Sequence, residues 1–185
     1  MPRQHHYQAS LVWSGATQGT TDSYQSYSRE FTAQIDGKPT LIGSADPTFR
    51  GDPSRHNPED LLLIALSACH MLSYLALCPR RGIRVLAYTD EATATMEMSD
   101  GKIRFTEAVL YPRVVIAPGD AAGEDRNALA AKAMALHAPA HAECFIASSV
   151  AFPVRNMPTI LFADDPAVHD SWEAAEGEGQ PPQAG

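Results

Sequence analysis

The stretch NPEDLLLIALSACHML, Asn57 to Leu72, decides how the rest of the chain is read. Asn57 is a preferred helix N-cap, and Pro58 suits the first helical position. Glu59 and Asp60 put negative charge in the first turn, where the helix dipole favours it. From Leu61 to Cys78 the chain carries no charged residue over 18 positions. This pattern predicts one helix reaching about Leu77, closed by Cys78-Pro79 because the residue before a proline is pushed out of helical geometry. An uncharged run of 18 sits at the lower edge of membrane-spanning length. Ser67, His70, Ser73 and Tyr74 interrupt it and no second such segment follows, so the expectation is a buried helix without membrane insertion.

Upstream, HYQASLVWSG reads as a strand with Tyr7, Ala9, Leu11 and Trp13 on one face, followed by the turn TQGTTDS. SYSREFTAQID alternates, with Tyr27, Arg29, Phe31, Ala33 and Ile35 sharing a face. Arg29 therefore falls on the side expected to be buried, and a buried guanidinium requires an anionic partner. PTLIG is a third short strand after the Asp36-Gly37 turn. Downstream, IRVLAYTDEATATMEM and KIRFTEAVLYPRVVIAP read as two long strands joined by Ser99-Asp100-Gly101-Lys102, a hairpin signal. GEDRNALAAKAMALHA reads as a second helix with His137 late, as the dipole favours. HAECFIASS is a short helical or turn segment before a last strand near VAFPVRN. The expected class is α+β, with antiparallel sheets packed around a long central apolar helix in a domain over residues 1–162. The acidic remainder, 163–185, has too few apolar residues to fold and is expected to be disordered. The first helix is apolar nearly all round, so dimerisation is expected to cover what one sheet leaves bare.

The formal net charge of the 185-residue chain is -8, and only Arg80 and Arg81 are adjacent bases. No basic stripe exists to neutralise phosphates, which argues against a nucleic-acid partner. MPRQHHYQASLVW lacks the apolar core of a secretory signal. Three cysteines without a CxxC pair, Cys69, Cys78 and Cys144, suit free thiols in a reducing, cytoplasmic setting better than a disulfide framework.

Cys69 has two readings, core packing and chemistry. It lies ten residues beyond Glu59, too far into the helix for the N-terminal field to act on it. A reactive thiolate there must borrow positive charge from elsewhere, with Arg29 as first candidate and Arg50 and Arg55 as competitors. Glu59 is either a first-turn acid serving the dipole or the carboxylate that orients that arginine. Ten helical residues separate Glu59 and Cys69 by about 15 Å along the axis and roughly 80° in bearing. One arginine hardly reaches both from a single straight helix, which points to a site at a dimer interface. Cys144, 75 residues after Cys69, is either buried filler or a second thiol able to resolve an oxidised first one. Cys78 reads as structural. Zinc on Cys69-His70 and His141-x-x-Cys144 is disfavoured because adjacent helical residues point about 100° apart. A Cys–His hydrolase with His141 as base lacks a recognisable oxyanion-hole motif.

NPEDLLLIALSACHM resembles the NPE-(about ten)-C helix of the OsmC/Ohr family, the osmotically inducible and organic hydroperoxide resistance proteins. HAECFIASSV resembles its second-cysteine segment, His-x-x-Cys. The resemblance implies an intertwined homodimer and a thiol-dependent peroxidase without metal or organic cofactor. It makes Cys69 the peroxidatic cysteine, Cys144 the resolving cysteine that closes a disulfide with it, and Glu59 the acid that holds a catalytic arginine. It also implies organic hydroperoxides as substrate and a dithiol, lipoyl-type or other, as reductant. Two features depart from the family: GATQGTTDS has no basic residue where the arginine is usual, leaving Arg29 as substitute, and Phe145 and Ile146 follow Cys144 where Pro and polar residues are usual. The chain thus resembles a divergent OsmC-like subgroup, for which a non-catalytic ligand-binding or stress protein is the alternative.

Overall fold

A computed structural model describes residues 4–118, 125–166 and 168. The chain divides into two units, Met1–Leu62 and Leu63–Gly185. In the first, β1 (Ser10–Val12), β2 (Phe31–Gln34) and β3 (Leu41–Gly43) form an antiparallel sheet in that order. The strands are shorter than their alternation suggests, and β2 begins at Phe31, after Arg29.

Helix α1 (Pro58–Leu77) starts where the sequence places it. The Asn57 side chain accepts the Asp60 backbone N–H at 2.7 Å, and the Asp60 carboxylate accepts that of Asn57 at 3.2 Å. This reciprocal pair satisfies two backbone donors that a helix start leaves free. Asn57→Ala is expected to cost about 1 kcal/mol and lower the melting temperature by about 2–4 °C, measured by thermal unfolding. At its other end α1 stops as expected, but by a different cause. Cys78 keeps helical dihedrals (φ -55, ψ -49), so the residue before proline is not displaced. Instead the chain tightens into a 3-10 turn over Pro79–Arg81, and left-handed Gly82 (φ 67) ends it.

The second unit holds the remaining strands. The two long strands expected after α1 are four: β4 (Val85–Asp90), β5 (Thr93–Ser99), β6 (Lys102–Leu110) and β7 (Pro112–Ile116). They still form one long hairpin, turned at Asp100 (φ 52) and Gly101 (φ 75) as the turn residues predict. The hairpin bends where Asp90 accepts the Tyr111 backbone N–H at 2.7 Å, sending β5–β6 to one sheet and β4–β7 to another. Two late strands complete them: β8 (Val154–Asn156) pairs with β6, and β9 (Thr159–Phe162), which periodicity did not reveal, pairs with β7. Both pairings are parallel, so the expectation of purely antiparallel sheets is corrected. The long connection through the C-terminal helices returns the chain to the same end, which a tight turn cannot do.

The expected helix over residues 123–138 is also divided, into α2 (Arg126–Ala135) and α3 (His137–Ala142). Pro139 lacks the N–H that would continue the ladder to Ala135. Residues before Asp125 in that stretch lie outside the described residues. The core packs Tyr74 and Cys78 of α1 with Val114 and Ile116 of β7, Leu129 and Ala133 of α2, and Phe162 of β9. Of the tail expected from Ala163, only residues 163–166 and 168 are described; Asp164 and Asp165 pair with Arg126 at 2.6 Å. The rest of that expectation lies outside the described residues.

Candidate functional site

The C-terminal unit brings Cys69 and Cys144 together. Cys69 is half-buried three turns into α1, and Cys144 is fully buried just after α3. The turn that carries Cys144 is fixed by its own backbone, whose N–H donates to the His141 carbonyl at 3.1 Å. The Cys144 thiol lies close enough to Cys69 for the two to interact. Burial, and then the neighbouring Cys69, push the Cys144 thiol up to about 11. The Ala147 N–H, 3.5 Å from its sulfur, works the other way, but burial prevails. Cys144 is therefore held as a thiol at neutral pH and does not open an attack as a thiolate.

The same unit also gathers a group of imidazoles that sequence reasoning did not assemble. His70 and His137 are buried, with His70 Nε2 and His137 Nδ1 3.0 Å apart in a shared hydrogen bond. The Tyr74 ring stacks on His137 at 4.1 Å. Burial holds both imidazoles down to about 4, with the nearby His141 lowering His70 further and Asp90 acting in the opposite sense. His137 is thus a neutral core group, not the late-helix cation its position suggests. The Asn156 amide donates to His141 Nδ1 at 3.1 Å. The four-residue spacing of His137 and His141 was the available signal, and only the fold connects it to His70. Among the described residues, no group of three or more His, Cys, Asp or Glu is arranged to hold a metal ion.

Cys78 is buried beside the Tyr74 hydroxyl, away from solvent and raised by burial, as a structural thiol should be.

The other two candidates belong to the N-terminal unit. The Arg29 guanidinium donates to the carbonyls of Tyr24 and Tyr27, and lies over the rings of Tyr27 at 3.8 Å and Tyr24 at 4.8 Å. Among the described residues it meets no carboxylate within ion-pair distance. The expected anionic partner is thus replaced by carbonyl oxygens and two ring faces, which together solvate a half-buried cation. Arg29 also lines an open cleft of about 370 Å³ with Trp13, Tyr27, Phe31, Ser44 and Pro58. Its competitors are placed otherwise. Arg50 reaches the Gln25 carbonyl at 3.4 Å, and Arg55 pairs with Asp52 at 3.7 Å. Glu59 is half-buried, and its Oε2 is buried without a hydrogen-bond partner among the described residues.

A capped apolar helix carrying one thiol, with a second thiol delivered to it from a distant turn, defines a class of cysteine-pair proteins on an α/β scaffold. The chain belongs to the OsmC-like protein family, whose model matches residues 51–155. An OsmC-like protein of unknown function from Vibrio cholerae has 30% identity and a TM-score of 0.71, covering 84% of this chain and 100% of its own. An organic hydroperoxide resistance protein from Elizabethkingia anophelis has 17% identity and a TM-score of 0.60, covering 88% of this chain and 99% of its own. OhrB of Bacillus subtilis, also an organic hydroperoxide resistance protein, has 16% identity and a TM-score of 0.54, covering 84% and 98%. These last two share the fold. No curated protein matches the sequence.

Proposed function

We propose that this chain is a thiol-dependent peroxidase that reduces organic hydroperoxides. The observation that carries the reading is the approach of a buried Cys144, held as a thiol, to Cys69 across 75 residues of sequence. One sulfur is poised to attack and the other is held back as a thiol. In the first step the Cys69 thiolate attacks the terminal peroxide oxygen and the O–O bond breaks. The departing alkoxide takes a proton to become an alcohol, leaving Cys69 as a sulfenic acid. In the second step the Cys144 sulfur attacks Cys69, the S–O bond breaks, and the hydroxide leaves as water with the Cys144 proton. A dithiol, lipoyl-type or other, then reduces the disulfide and is itself oxidised to one.

Negative charge on the departing oxygen calls for a cation, which we assign to Arg29, with Glu59 as the carboxylate that would take it up across the interface of the dimer proposed below. Support comes from the aromatic cleft that Arg29 lines and from the unpartnered Glu59 oxygen. We further propose that the working form is an intertwined homodimer in which α1 is central and the site lies at the interface. Only Leu66, His70 and Tyr74 of α1 are buried, whereas Ile64 and Leu72 are exposed to 51% and 62%, more than a lone apolar helix should leave in water.

Intact-mass analysis after one equivalent of cumene hydroperoxide tests the chemistry. A loss of two hydrogens is expected, abolished in Cys69→Ser. A wild-type thiol that stays unreacted under these conditions would identify a ligand-binding or stress protein that keeps the fold without catalysis. A monomer by sedimentation with full activity would remove the interface from the proposal.

A further inference from the structure

The cleft of about 370 Å³ that Arg29 lines is built wholly from the N-terminal unit. No lining residue lies beyond Pro58, so the bare face of α1 with Ile64 and Leu72 takes no part in it. The volume suits a small molecule. Three of its walls are rings, those of Trp13, Tyr27 and Phe31. Each is set in place by its own surroundings. The Trp13 Nε1–H donates to the Ser28 carbonyl at 2.8 Å, and the Tyr27 ring meets Trp13 edge to face, centroids 6.1 Å apart. The Arg29 guanidinium lies over Tyr27 at 3.8 Å. Phe31 pairs across the sheet with Gly43, where a Cβ would come within 2.2 Å of the Phe31 ring. Gly15 makes the same room for Trp13, since a Cβ there would sit 2.5 Å from the indole nitrogen. Trp13 is nevertheless 38% exposed, so its ring stays within reach of a ligand.

Walls of this kind favour one sort of hydrocarbon. A cavity of about 150 Å³ holds a single benzene, so this cleft holds a ring with a short branched substituent and has room to spare. An aromatic guest meets the ring walls edge to face or offset-stacked, an attraction beyond area burial of about two- to tenfold in affinity for one pair. A flexible chain of equal carbon count lacks that attraction and also gives up its rotamers on entering. The walls do not need to reorganise around the guest, which leaves the difference between the two guests undiluted.

We propose that this cleft selects hydroperoxides with a compact aromatic body over aliphatic ones of equal carbon count, with Trp13 as the specificity-determining residue and the peroxide head at Arg29. The proposal rests on the peroxidase reading above, and its test separates the two. The probes are three unreactive nine-carbon alcohols: 2-phenyl-2-propanol, 2-cyclohexyl-2-propanol and 1-nonanol. In Trp172→Phe protein Trp13 is the one remaining tryptophan, so its fluorescence reports the cleft directly. The phenyl alcohol is expected to change that emission saturably and to bind about fivefold to tenfold tighter than either saturated alcohol. Trp13→Leu should raise KM for cumene hydroperoxide about tenfold with kcat within about twofold, and leave KM for n-nonyl hydroperoxide within about twofold. The fluorescence titration decides the matter if that variant does not fold. Equal or tighter binding of either saturated alcohol, or no saturable change with the phenyl alcohol, would overturn the proposal while oxidation of Cys69 by cumene hydroperoxide still stood. A Cys69 that stays unreacted while the phenyl alcohol binds preferentially would overturn the peroxidase reading and the selection of hydroperoxides with it, leaving an aryl-binding cleft.

Discussion

Replacing Cys144 with serine is expected to lower steady-state hydroperoxide turnover by about a hundredfold or more, while the first oxidation of Cys69 stays within about threefold of wild type. The two effects separate because the two sulfurs have different tasks. Cys144 is pushed up to about 11 by burial and by the neighbouring Cys69, so it takes no part as a thiolate in the initial attack. A serine hydroxyl is smaller than the thiol and still able to donate toward Cys69, which keeps the reduced site near its starting state. After oxidation the difference becomes large. A hydroxyl cannot form the S–S bond, so the sulfenic acid at Cys69 is left exposed to a second peroxide and advances to the sulfinic acid, which thiols do not reverse. Stopped-flow consumption of one equivalent of cumene hydroperoxide reads the first step. Mass spectrometry reads its product, expected as the addition of one oxygen and then two, where wild type loses two hydrogens. Unchanged multiple turnover in Cys144→Ser would show that an external thiol resolves Cys69 and that the contact between the two sulfurs is only packing.

What the sequence revealed and what it withheld follow the range of the interactions involved. The ends of α1 were legible in position because each depends on neighbours: Asn57 and Asp60 cap each other within one turn, and the far end falls at Pro79 as expected, although Gly82 and not a displaced Cys78 closes it. The turn at Asp100-Gly101 was legible for the same reason, since left-handed dihedrals are a property of those two residues. The bend of the long hairpin was not, because it depends on a hydrogen bond between Asp90 and Tyr111 that no local pattern encodes. β9 was missed because a short apolar run becomes a strand only when β7 offers it a parallel edge. Arg29 was placed correctly in a half-buried setting but given the wrong kind of partner. Alternation predicts a face, whereas the turn at Tyr24–Tyr27 that supplies carbonyls and rings is irregular. The cysteine pair is the extreme case. Spacing alone left Cys144 open, and only family resemblance proposed the partner that the fold then set beside Cys69.

Acidification should expose a second consequence of the same packing. The His70–His137 pair is expected to make the protein lose about 2–3 kcal/mol of stability per imidazole between neutral pH and pH 4.5. His70 is 0% exposed and His137 4%, and each has a ring nitrogen with no partner, so a second proton would place an unsolvated charge in the core. The groups that face the pair do not offset this. His141 opposes protonation of His70, Tyr74 presents a ring face to His137, and the Asp90 carboxylate favours the charged form too weakly to overcome burial. The folded imidazoles titrate at about 4, below the ordinary value of 6.5 that the unfolded chain regains. The unfolded state therefore binds more protons in the interval between those values. Stability is complete above the upper value, falls as pH drops through the interval, and levels off below the lower one. The loss for the pair is less than twice that for one imidazole, because both share a single hydrogen bond. Carboxylates titrate over part of the same range, so the measurement compares wild type with the double variant His70→Leu/His137→Phe, which fills the space with apolar groups. Urea unfolding at pH 7 and 4.5 should show a clearly smaller pH dependence in the variant. Equal losses in the two proteins would mean that the imidazoles reach solvent or a counter-charge before the fold opens.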